Sequence, residues 1–127
     1  MKNNKEILDH FGKMIIKDCI DPGIGNLTSL RVKENPPIIL KEYVDLFKKL
    51  DENDFNVLKK YLATSLESMT FNILRIFEEN EDYKIVYEEN SKQINLVEIS
   101  EMLKAEPIGQ KGWIARFSKV IDKDEVF

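Results

Sequence analysis

The chain has 127 residues, 43% of them hydrophobic and 33% charged, with a net charge of −4. That is enough for one domain that buries a core without disulfides or metals, and the single Cys and single His argue against a zinc or histidine metal centre. Lysines scattered among a larger number of acids disfavour nucleic-acid binding, which rests on clustered cations.

The opening residues, Met-Lys-Asn-Asn-Lys-Glu, lack the pattern of a signal peptide, and no apolar run approaches the ~20 residues that span a bilayer. A cytoplasmic protein that does not enter a membrane is therefore expected. The heavy use of Ile, Lys and Asn resembles the composition of low-GC bacterial proteins.

In chain order, the first predicted helix runs from Lys5 to about Cys19. Asn3 is placed to cap it, with Glu6 in capping-box position. Ile7, Leu8, Phe11, Met14 and Ile15 form one stripe. Asp21-Pro22-Gly23 is read as its terminator, and residues 22–37 as an ordered loop with Leu27, Leu30 and Val32 as its core contacts. Asn35-Pro36-Pro37 opens a second helix in which Ile39, Leu40, Tyr43, Val44, Leu46, Phe47 and Leu50 cover a wide face.

From Ile38 to Glu106 the chain contains no glycine or proline, so nothing interrupts long helices there. The centrepiece is a helix from about Asp54 to Glu79. Phe55, Leu58, Leu62, Leu66, Met69, Ile73, Ile76 and Phe77 share one face, while Phe71 and Leu74 add apolar surface on others. A helix apolar nearly all round is a buried one. Its C-terminal half is expected to be central, with the first two helices packed around it, and Ile73→Asp to abolish folding.

Beyond Asn80, Tyr83–Tyr87 and Gln93–Leu96 read as a short hairpin around a turn at 88–92, followed by a helix from about Val97 to Lys104. Asn95 and Glu98 also have capping-box spacing, which would start that helix at Asn95. Residues 107–112 form a loop, and Trp113–Phe117 a short strand or helical turn docked on the core. The charged tail from Asp122 is expected to fray. The fold class is thus mainly α: one small domain around a long central helix, with a hairpin and a short fourth helix.

Chemistry is sparsely written. There is no phosphate-binding glycine loop, nucleophile elbow or His-Glu-x-x-His. His10 and Cys19 lie nine residues apart on one helix and project to opposite sides, giving a surface histidine and a partly buried thiol rather than a dyad. No cofactor or metal is called for, and an enzyme of unknown type working through scattered carboxylates is only a third reading, with no motif behind it.

Two other sets of residues carry the functional expectations. The acidic run containing Glu78, Glu81, Glu88 and Glu89 would suit a basic protein partner, as in an immunity-type protein that occludes a basic toxin. Alternatively, Trp113 and Arg116 flank a glycine-containing loop and would line a small-molecule pocket. Two more charges would join them there. Asp18 falls within the apolar arc of the first helix, where it would salt-bridge Arg75 or Arg116. Arg75 would otherwise pair with Glu79.

Overall fold

A computed structural model describes residues 1–122. The tail expected to fray lies, beyond Asp122, outside the described residues. The molecule is mainly helical, with one long helix and one two-stranded hairpin.

Helix α1 (Asn4–Ile15) starts where the capping residues place it: the Asn3 side chain accepts the Glu6 N–H at 2.8 Å. It does not stop at Asp21-Pro22-Gly23. A π turn over Ile16–Ile20 carries it into α2 (Asp21–Arg31), and the Asp21 N–H donates to the Ile16 carbonyl five residues back. In an unbroken α-helix the Pro22 ring would strike the carbonyl of Asp18, and the wider π turn lies at that point. Pro22 then occupies the first turn of α2, where a missing N–H costs little. The predicted loop is therefore helix as far as Arg31. Ile16, Ile20, Ile24 and Leu27 are buried along this continuous rod, while Met14, Asp18 and Cys19 are exposed.

Helix α3 (Ile38–Lys49) follows Pro37 and packs chiefly on α2, burying Val44. Arg31, at the end of α2, ties this corner together. Its guanidinium donates to the Leu50 carbonyl at 2.9 Å, meets Glu52 at 3.1 Å and stacks 4.2 Å from the Phe55 ring centre.

Helix α4 (Glu52–Glu79) is capped by Asp51, whose carboxylate accepts the Asp54 N–H at 2.7 Å. Its C-terminal half is not buried all round, contrary to expectation. Thr70 and Leu74 face the interior, whereas Met69, Ile73 and Ile76 are about half exposed. The helix packs on the 3-10 turn Leu103–Ala105, on α2 and on the π turn; α3 leans on α2 instead.

Strands β1 (Val86–Glu89) and β2 (Lys92–Asn95) pair antiparallel in the register Val86 opposite Asn95. Asn90 and Ser91 both have positive φ, 52° and 63°, the backbone of a tight two-residue hairpin turn. Both readings of the next segment hold together, because Asn95 ends the strand and caps α5 (Leu96–Ile99) by accepting the Val97 N–H. That helix is one turn long, and the second turn expected of it is the separate 3-10 turn at Leu103.

The last element, α6 (Trp113–Phe117), is a helical turn. Trp113 is fully buried, its ring lying on Gly12 of α1 and meeting Phe11 edge-on with centroids 6.0 Å apart. The core thus joins both ends of the chain: Ile7, Leu8, Ile16, Ile20 and Ile24 from the first rod, Leu74 from α4, and Leu96, Leu103, Trp113 and Ile114 from the last third. Among the described residues no helix is long and apolar enough to cross a membrane.

Candidate functional site

The most developed polar arrangement lies where α1 meets α6. Arg116 reaches back across the core seam and grips Asp9 with both terminal nitrogens, at 3.0 and 2.8 Å, while its Nε donates to the Lys111 carbonyl at 2.8 Å. Lys5, one turn before Asp9, adds a contact at 3.2 Å. The planar guanidinium matches the carboxylate in a two-point contact that lysine could not form.

This clasp forms one wall of an open cleft of about 620 Å3, continued by Leu8, Ile99, Glu101 and Glu106. Hydrogen bonding to Arg116 holds the Asp9 carboxyl below the usual carboxylate range. Glu106 behaves in the opposite way: burial pushes its carboxyl up, and Arg116 only partly offsets that. Two acids beside one arginine are thereby driven apart in acidity.

These opposed shifts set a pH dependence. Asp9 contributes stability above its unfolded pKa, and the contribution is lost as pH falls through the depressed folded value. Glu106 destabilises increasingly as pH rises from its unfolded value through the raised folded one. Asp9→Asn is accordingly expected to cost about 1 kcal/mol at neutral pH, because the pair is partly solvated, and nothing in strong acid. Glu106→Gln should be more stable than the parent at neutral pH and equal to it in acid. Urea unfolding across a pH series checks both signs.

The structure brings only some of the candidate residues together. Arg116 lines the cleft. Trp113 does not line it and lies wholly inside the core, where its Nε1 makes no hydrogen bond among the described residues. Asp18 and Arg75 are both exposed and neither lines the cleft, and Arg75 makes no ion pair with Glu79 among the described residues. Asp18 misses the buried arc because the π turn changes the helical phase around it.

Of the four acids, two serve the fold. The Glu78 carboxylate accepts the Lys104 backbone N–H at 2.7 Å and faces its ammonium at 3.7 Å. Glu89 accepts the Lys2 backbone N–H at 3.2 Å. Glu81 and Glu88 point to solvent.

Asp9 and Glu106 were not anticipated as site residues. Asp9 carries a local signal only for its pairing with Lys5, and Arg116 lies 107 positions away. His10 is exposed, as expected, and Cys19 is exposed where a partly buried thiol was expected. No group of three or more His, Cys, Asp or Glu among the described residues could hold a metal ion. No family model matches the chain, and no curated protein or solved structure gives a significant match.

Proposed function

We propose that the protein is a non-enzymatic interaction module acting in the cytoplasm, and that it meets a basic protein partner through the outer side of α3. The observation that carries this reading is a second apolar stripe on that helix. Leu40, Val44 and Phe47 face inward, whereas Ile38, Ile39, Tyr43 and Leu46 are 91%, 78%, 51% and 54% exposed. Scattered apolar residues on a surface are ordinary, but a helical stripe of them is the usual mark of an interface. The net charge of −4 and the solvated Glu81 and Glu88 favour a basic partner by speeding encounter.

Capture from a lysate of the producing cells, with and without Ile39→Lys/Leu46→Lys, tests the reading. A specific basic protein should be recovered by the parent and lose about tenfold or more in affinity with the variant, as for a central apolar anchor. Glu81→Gln/Glu88→Gln should slow its association at low salt only. Equal recovery by all forms would remove α3 as the contact surface.

A second reading, a small polar ligand in the Asp9–Arg116 cleft, is favoured by the raised Glu106 carboxyl beside a fixed arginine. It requires a ligand-dependent rise in melting temperature that Glu106→Gln removes.

A further inference from the structure

Helix α4 presents a separate apolar ridge that α3 does not share. Val57, Tyr61, Ser65, Met69 and Ile73 follow one another at four-residue spacing, so each lies one turn above the last on a continuous ridge. Val57, Tyr61, Met69 and Ile73 are 59%, 71%, 54% and 46% exposed, and Ile76 beside them is 50% exposed. Between Lys60 and Arg75 the only charged residue is Glu67, which is turned away from this ridge and half buried. In a chain one-third charged, that is an unusually neutral surface.

The ridge is also symmetric. Its small residue, Ser65, falls at the middle of the helix Glu52–Glu79, with Tyr61 and Met69 one turn to either side and Val57 and Ile73 two turns away. Turned end for end about Ser65, the ridge maps onto itself in shape: aromatic against thioether, valine against isoleucine. A self-complementary patch is what a two-fold interface requires.

From this register we infer that α4 pairs antiparallel with α4 of a second copy of the chain, crossing at Ser65. Tyr61 then packs on Met69 of the second copy, a favourable ring–sulfur contact, and Val57 on Ile73. The small serine lets the backbones approach at the crossing point. No like charges oppose one another over the central turns.

The area is sufficient. Five large side chains at about half exposure or more make a patch at the upper end of the roughly 300–600 Å2 that a typical monomer shows. With Ser68 and Asn72, which are exposed on the same side, the surface extends toward the roughly 800 Å2 per partner of a stable interface. This pairing does not depend on the α3 surface and stands or falls separately from it.

Sedimentation equilibrium of the whole chain at micromolar concentration tests the inference. The parent should have twice the 14.9 kDa chain mass. Tyr61→Glu alone and Met69→Lys alone should each give monomers with unchanged circular dichroism, since both sites are exposed. Tyr61→Glu combined with Met69→Lys should restore the dimer, because the antiparallel register places the new glutamate against the new lysine in both halves. A parent that stays monomeric would overturn the inference. So would a dimer indifferent to either single change, or single variants whose combination fails to restore association. Ile39→Lys/Leu46→Lys should leave the mass unchanged, which separates this interface from the partner surface on α3.

Discussion

Leu74→Asp is expected to abolish cooperative folding, while Ile73→Asp, its neighbour on α4, leaves the monomer fold intact. Leu74 is 2% exposed and packs in the main core; Ile73 is 46% exposed on the outer ridge. A carboxylate at position 74 would lose the burial of a leucine and leave an unpaired charge in an apolar interior, together several kcal/mol. Against a typical total stability of roughly 5–15 kcal/mol, that is enough to unfold a small protein. At position 73 the carboxylate reaches water, and Lys60→Asp, also exposed, should be equally mild. Circular-dichroism melts under conditions where the chain is monomeric decide the matter. Comparable losses at 73 and 74 would mean that the core contacts α4 through the wider face.

Gly12→Ala should destabilise the protein by about 2 kcal/mol, although alanine is the better helix former by about 1 kcal/mol in a helix interior. The reason is the Trp113 ring, which occupies the space that a Cβ at position 12 would enter. Overpacking of this kind costs about 1–3 kcal/mol because the ring must shift within a close-packed core. Trp113→Ala should cost more, about 3–5 kcal/mol, by leaving a cavity. The two changes should not add, since removing the ring also removes the clash. Urea unfolding of the single and double variants, followed by circular dichroism, measures that coupling. An additive pair would show that Gly12 and Trp113 do not share the contact.

Much of the architecture was readable in the chain because local chemistry marks it. Asn3 announces the start of α1, and the absence of glycine and proline between Ile38 and Glu106 allows the 28 helical residues of α4 without a break. Other features had no local signature. Pro22-Gly23 reads as a stop because an α-helix would clash there, yet a π turn immediately before it removes the clash. Periodicity revealed the stripes on α3 and α4 but could not choose among them. Each helix carries two, and only tertiary packing decides that Val44 and Leu74 turn inward while Tyr43 and Ile73 do not. Arg116 stood out as one of three arginines, but its partner Asp9 looked like one acid among many. A contact between residues near opposite ends of the chain leaves no trace in the spacing of either.

The seating of Trp113 on Gly12 has a consequence for how the nascent chain acquires its structure. The apolar side of α1 is made well before its cover, which arrives with Trp113 and Ile114 about a hundred residues later. Asp21 waits just as long for the Ser118 hydroxyl, which it binds at 2.6 Å. Closing so large a loop is an entropic cost that α1 cannot meet through neighbours already translated. Until residue 118 has left the ribosome, Ile7, Leu8 and Ile16 lack their proper covering, and a chain stalled short of that point exposes a sticky amphipathic helix. Quality control by chaperones and proteases would therefore act on the amino-terminal rod. The single tryptophan should report completion, its emission shifting to shorter wavelength only as the two ends of the chain meet.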